Sequence, residues 1–230
     1  MSQRSVCVDR KDAGVTRSNG EGYRPNRREY IIDQAIAVFS RQGFQGSSIQ
    51  DVAAATSMAP TAIYYHFSGK EELYDAALAK VFAQIDEIVD QSRPVGHGDE
   101  SLLVKVLGAV WDWVERNPEP AQLLYHQLPG ATAEALKLRS DFEERHIQRA
   151  VDYLPTPPDA ASKKEAAARW AVLSLATRTT VSLGMTIHSM RMAEGPLAGH
   201  SARALRTAYL ETSGRIIQAA AERILAGDRA

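Results

Sequence analysis

Apolar residues recur at the spacing of one helix face along most of the chain, and strand-like alternation is absent. Ile31, Ile32, Ala35, Ile36 and Phe39 form the first such stripe, in a helix that begins near Asn26 and closes at Gly43 as a C-cap. Ser48-Ile49-Gln50-Asp51 opens a second helix, with Ser48 as N-cap and Asp51 completing a variant capping box. Ile49, Val52 and Ala53 are its buried side. Thr56-Ser57-Met58 reads as a turn, and Pro60 suits the first position of a third helix running to about Phe67. Ser68-Gly69-Lys70 breaks the pattern. Glu71 and Glu72 then start a fourth helix to about Gln91, carrying Tyr74, Leu78, Val81, Phe82, Ile85, Ile88 and Val89 on one face.

Arg93 to Gly98 is the clearest linker. Beyond it the pattern predicts helices over about 100–116, 117–127, 130–154, 159–192 and 201–225, separated by Pro- and Gly-rich breaks. The predicted fold is all-α: a small N-terminal bundle followed by a larger one.

Composition narrows this picture. The 230 residues carry 27 Lys+Arg against 28 Asp+Glu, which excludes a globally basic nucleic-acid coat but not a local basic patch. Residues 1–25 lack any period and read as a mobile arm; up to residue 28 the chain has seven Lys/Arg and three Asp/Glu. Such an arm reads as a phosphate-touching segment or as plain disorder. Cys7 is the single cysteine, so no intramolecular disulfide forms; it reads as an incidental thiol or as a redox sensor. No apolar run approaches the roughly 18 residues of a membrane span, and the first residues lack a signal-peptide core. A cytoplasmic protein is expected.

Residues 48–67 have the length and punctuation of a helix-turn-helix, whose second helix enters the major groove. From Ala54 to Gly69 there is no charged side chain. The third helix offers Thr61, Tyr64, Tyr65 and His66, groups that bond phosphate or base edges, with no acid to repel DNA. Gly43-Phe44, Ser48-Ile49, Asp51-Val52-Ala53, Tyr64-Tyr65-His66-Phe67 and Lys70-Glu71-Glu72-Leu73 together resemble the signature of TetR-family repressors over about residues 27–75.

The resemblance implies a three-helix DNA-binding domain over 26–72, then a helical ligand-binding and dimerisation domain over 73–230. It implies an operator-bound dimer released by a small molecule. By position it sets Thr61, Ala62, Tyr64, Tyr65 and His66 at DNA, with Lys70 and Ser48 holding phosphates, Ser48 through its hydroxyl and backbone N–H. Arg27 and Arg28 oppose the dipole of the first helix, which points to phosphates or to plain solvent exposure. Each contact has a competing reading: Tyr64 as core, His66 as a structural histidine, Lys70 as an ordinary surface lysine. Where the family usually has Gly-Val-Ser, this chain has Ser57-Met58-Ala59, so the cap at Ala59 is lost unless Ser57 substitutes.

Small residues Ala176, Thr180 and Gly184 fall four apart in the long helix, beside a row of Leu175, Leu183, Ile187 and Met190. With Leu205, Tyr209, Ile216, Ile217 and Ala220 of the last helix they suggest a four-helix dimer interface; the competing reading is packing within one chain. Trp111, Trp113, Tyr125, His126, Phe142, His146 and Met185 are candidates for an effector pocket, each also readable as ordinary core or surface. Histidines 126, 146 and 188 share no metal-ligand spacing, and no metal or cofactor is expected. P-loop, Rossmann, HExxH and GxSxG patterns are absent, which argues against an enzyme. A helical interaction module whose helix-turn-helix is only structural is the remaining alternative.

Overall fold

A computed structural model of the chain describes residues 26–92, 101–125, 132–153, 163–191 and 195–226. These residues form α1 (Arg27–Gly46), α2 (Ile49–Thr56), α3 (Pro60–Tyr64), α4 (Lys70–Gln91), α5 (Ser101–Arg116), α6 (Pro118–Tyr125), α7 (Ala133–Tyr153), α8 (Lys163–Arg191) and α9 (Ala202–Ala226), with no strand among them. The expected linker at 93–98, the prolines at 155, 157 and 158, and the arm with Cys7 lie outside the described residues. No described helix is long and apolar enough to cross a membrane.

Local chemistry sets the first three helices. Asn26 caps α1 by accepting from the Arg28 N–H at 3.3 Å. Ser48 and Asp51 form the full reciprocal capping box on α2: Ser48 Oγ accepts from the Asp51 N–H at 3.2 Å, and the Ser48 N–H donates to Asp51 Oδ2 at 2.8 Å. One expectation is refined and one changes. Gly43 does interrupt α1 where expected, but the chain resumes helix beyond it. Gly43 adopts φ 69°, ψ 173°, a break that glycine tolerates without a Cβ clash, and the chain then makes one more turn to Gly46. The third helix stops at Tyr64 rather than Phe67, because the His66 N–H turns back to the Ile63 carbonyl at 2.9 Å. That tighter closure brings Phe67 into the core.

One core runs through the N-terminal helices and into the larger bundle. It joins Ile31, Phe39, Val52, Ile63 and Phe67 to Leu73, Leu78 and Val81 of α4, and continues to Trp113 and Leu123. Packing therefore does not stop at residue 72. The seam is also polar: Ser40 Oγ lies 2.6 Å from the Ile36 carbonyl and 2.5 Å from that of Glu119, its one proton serving either. Lys80 of α4 bridges to Glu29 and Asp33 of α1 at 3.0 and 2.7 Å. These ties fasten α1 to α4 and α6.

The α2–α3 turn is the weak point. Ser57 has φ 56°, a left-handed conformation that costs a non-glycine residue on the order of 1 kcal/mol, and is the one described non-glycine residue with positive φ. Ala59 makes no side-chain cap, and Ser57 is α2's C-cap rather than a substitute N-cap for α3. Ala59→Ser should therefore raise stability by about 0.5–1 kcal/mol, read as a higher urea midpoint at unchanged slope. No change, or a fall, would mean that α3 already has its donors satisfied.

Candidate functional site

The exposed edge of the helix-turn-helix carries three side chains. Thr61 is exposed, Tyr64 is 52% exposed and Tyr65 is 86% exposed. Both tyrosines point outward, so the reading of Tyr64 as core is corrected. Helical geometry explains it: Ile63 and Phe67, four apart, take the inner face and leave Tyr64 and Tyr65 beside it. Ala62 and His66 are half-buried at the margins, with the His66 ring edge-on to Tyr65 at 5.1 Å. A large phenol left in water beside an uncharged surface suits stacking and hydrogen bonding to a partner.

The expected phosphate holders are more constrained. Lys70 Nζ donates to the Phe44 and Ser47 carbonyls at 2.9 and 3.1 Å and sits 4.3 Å from the Phe44 ring centre. It thereby clamps the end of α1 to α4, with one N–H left for an outside acceptor. The Ser48 hydroxyl donates to Asp51 Oδ2 at 2.6 Å, and the backbone N–H serves the same carboxylate. Both donors that the resemblance gave to phosphate are spent on the capping box, a correction to that assignment. Arg28 lays its guanidinium 4.7 Å from the centre of the Phe67 ring, whereas Arg27 is exposed.

Away from this edge, α4, α5, α7, α8 and α9 enclose a cavity of about 400 Å³. Trp111, Phe142, His146 and Met185 line it, as the sequence suggests. Trp113 does not: two residues on from Trp111, it faces the opposite side of α5 and is buried in the main core. The Tyr125 side chain and His126 lie outside the described residues. Two aromatic stacks form walls. Trp111 meets His188 at 4.2 Å and Tyr209 at 5.0 Å; Phe142 meets Phe82 at 4.4 Å and His146 at 4.1 Å. His188, Tyr209 and the mouth residues Arg139 and Arg178 were not legible as pocket residues in the sequence. A histidine in an apolar helical stretch was the only signal, and it served for His146 but not His188.

The small-residue stripe faces inward. Ala176, Thr180 and Gly184 are buried, and a Cβ on Gly184 would lie 3.2 Å from the Tyr209 ring. Close approach of α8 to α9 within one chain is what these residues serve, and Tyr209, Ile217 and Ala220 are buried with them. The stripe is thus corrected from a dimer contact to an internal one. The face of α8 turned away from this stripe remains open: Leu175 is 69% exposed and Met190 42%, with Ala171, Thr179 and Thr186 exposed along it, and the exposed Arg178 and Ser182 border it at the cavity.

Burial governs the titrating groups here. It pushes the His188 imidazole down to about 4, against the pull of Glu115, whose carboxylate lies 3.3 Å from Nδ1. Burial likewise lowers His146 and pushes the Tyr209 phenol up to about 12. An unfolded His188 titrating near 6.5 takes a proton that the folded one refuses until about 4. Stability from this residue is thus complete above 6.5 and lost as pH falls toward 4, by on the order of 3 kcal/mol. Urea denaturation between those limits should show the loss, and His188→Gln should remove most of it; an identical slope in the variant would contradict this assignment.

Comparisons agree with the helix-turn-helix geometry. The family model for "Bacterial regulatory proteins, tetR family" matches residues 31–77. Over those residues the chain carries the helix-turn-helix of the TetR family. It is 29% identical over 97 residues to the HTH-type transcriptional repressor NicS of Pseudomonas putida, covering 42% of this chain and 46% of that one. With the biofilm operon icaADBC regulator IcaR of Staphylococcus aureus it shares 31% over 62 residues, 27% of this chain and 33% of the relative. The matches thus span less than half of these curated relatives. Solved structures share the fold more fully: a tetR-family regulator from Streptomyces coelicolor (TM-score 0.60, 22% identity, covering 87% and 88% of the two chains) and one from Rhodococcus RHA1 (0.66, 18%, 84% and 98%).

Proposed function

We propose that this TetR-family protein is a cytoplasmic transcriptional repressor that binds operator DNA as a dimer and lets go when a small molecule fills its cavity. Residues 26–72 serve as the reader and 73–230 as the effector and dimerisation part. The observation that carries this reading is the arrangement around α4. The exposed, uncharged face of Thr61, Tyr64 and Tyr65 lies just before its N-terminus, and Phe82, Ile85 and Val89 near its other end line the cavity. Occupancy of the cavity therefore bears on the helix that carries the reader.

Thr61, Tyr64 and Tyr65, with Ala62 and His66 at the margins, take the base edges and nearby backbone. Arg27 and the remaining Lys70 N–H take phosphates, and Arg28 is held back on Phe67. A nearly uncharged reader binds phosphate modestly alone, so two copies are needed. The open row of α8 from Leu175 to Met190, together with the outer face of α9, supplies the dimer surface. Named repressors among the relatives favour repression over activation.

A footprint on the DNA flanking the protein's own gene tests this. Two protected half-sites with centres about 34–36 Å apart, or a multiple, are expected from a two-fold dimer. Protection of a single half-site, or none, would contradict the proposed mode.

A further inference from the structure

Charge is distributed unevenly around the cavity. Among its described lining residues the charged ones are Arg139, Glu143 and Arg149 on α7 and Arg178 on α8. The remaining wall is mostly apolar and aromatic. Arg178 has 60% of its side chain exposed, and its lining neighbours Val181 and Ser182 are exposed too, so the cavity opens along the α7–α8 seam. The interior offers no cation, since burial keeps His188 and His146 neutral at pH 7. Any charge recognition must therefore happen at this mouth.

The cations there are not equally committed. Arg149 is taken by α4, with Asp86 at 2.6 Å and Asp90 at 3.3 Å. Arg139 and Arg178 share one carboxylate: Glu143 accepts from Arg139 at 2.9 Å and stands 3.4 Å from Arg178. Two guanidiniums on one carboxylate leave a positive charge at the rim. Guanidinium presents paired donors in a plane that fits a carboxylate. An apolar chamber with such a rim fits a molecule that is apolar along its body and anionic at one end.

We propose that the cavity takes an amphiphilic carboxylate, its apolar body between the Trp111–Tyr209 and Phe82–Phe142 stacks and its carboxylate at Arg139 and Arg178. This rests on the reading of the cavity as the effector site and adds the chemical class of the effector. Glu143 is then the competitor that the ligand's carboxylate displaces or joins, so it sets how tightly acids bind. Thr177 and Ser182, also in the lining, stand on α8 beside Arg178.

Calorimetric titration of the full chain at pH 7 with decanoate, decan-1-ol and decylammonium, each below its aggregation limit, separates head-group preference from apolar burial. Biphenyl-4-carboxylate tests whether the body is a flexible chain or a pair of rings. At least one carboxylate should bind, and decanoate should bind about tenfold more tightly than decan-1-ol, the effect of one partly exposed charge-assisted contact, with decylammonium weakest. Arg178→Gln should shrink the acid-over-alcohol ratio toward unity while leaving decan-1-ol binding in place. Glu143→Gln should tighten decanoate severalfold, a gain that damage to the fold would not produce. Equal binding of acid and alcohol, or a preference for the amine, would overturn the carboxylate assignment and leave the effector reading standing. Failure of all four probes in the wild-type chain would also overturn it. Operator release by an uncharged molecule that fills the cavity would then show that the effector reading survives without it.

Discussion

Phe67→Ala should destabilise the protein by about 3–5 kcal/mol and abolish DNA binding, although Phe67 itself is 1% exposed and touches no partner. The residue closes the recognition segment. Its ring packs in the core that joins Ile31 and Ile63 to α4, and the Arg28 guanidinium covers it at 4.7 Å. Truncation removes the apolar contacts and leaves a cavity where α1, α3 and α4 converge, which closes only by shifting the five-residue α3. Urea denaturation gives the stability loss directly. Tyr65→Ala is the control: at 86% exposure it should change stability by no more than about 0.5 kcal/mol. A cost below 1 kcal/mol for Phe67→Ala would mean that α3 is not anchored as described.

The second large effect concerns signalling rather than stability. Asp86 on α4 is a hub for α7: Arg145 reaches it at 3.1 Å, Arg149 at 2.6 Å, and His146 Nε2 stands 3.7 Å away. Its own side chain is 21% exposed, so the attractions to the two arginines are only partly screened. His146 lines the cavity, whereas Asp86 belongs to the helix that begins at the reader. Under the proposed effector reading, a ligand that moves α7 pulls on α4 through this carboxylate. Typical coupling between two sites is about 5–150-fold in affinity. Asp86→Asn keeps the shape and an acceptor but removes the charge, and should reduce ligand-induced weakening of operator binding to about twofold or less. DNA affinity without ligand should stay within a few-fold of wild type. Undiminished release in the variant would move the coupling elsewhere, for example to Lys80 and its two carboxylates on α1.

Much of this was legible in the sequence because local rules and tertiary demands agree there. The capping box at Ser48 and Asp51, the missing cap at Ala59 and the inward Ile49, Val52 and Ile63 follow from residue types at fixed spacing. The errors arise where one pattern serves two ends. Small residues four apart predict close helix approach, which is what Ala176, Thr180 and Gly184 provide. Spacing alone does not say whether the approaching helix belongs to the same chain; Tyr209 answers that. Ser48 and Lys70 show the same ambiguity in polar form. Donors at a helix start suit a phosphate, but Asp51 takes both from Ser48, and two carbonyls take two of the three on Lys70. The charged mouth at Arg139, Glu143 and Arg178 joins residues on different helices, so no local periodicity announces it.

The central claim is that Thr61 and Tyr65 read DNA from an otherwise uncharged face. Fluorescence anisotropy with the DNA flanking the gene, against a scrambled duplex of equal length and at several salt concentrations, tests it most directly. Wild type should prefer the flanking sequence, and its binding should weaken with salt, with the modest slope of about two phosphate-binding cations per copy. Thr61→Ala with Tyr65→Ala should erase that preference while leaving the urea midpoint and the dimer unchanged. Wild-type affinity and selectivity in the double variant would contradict the assignment of this face.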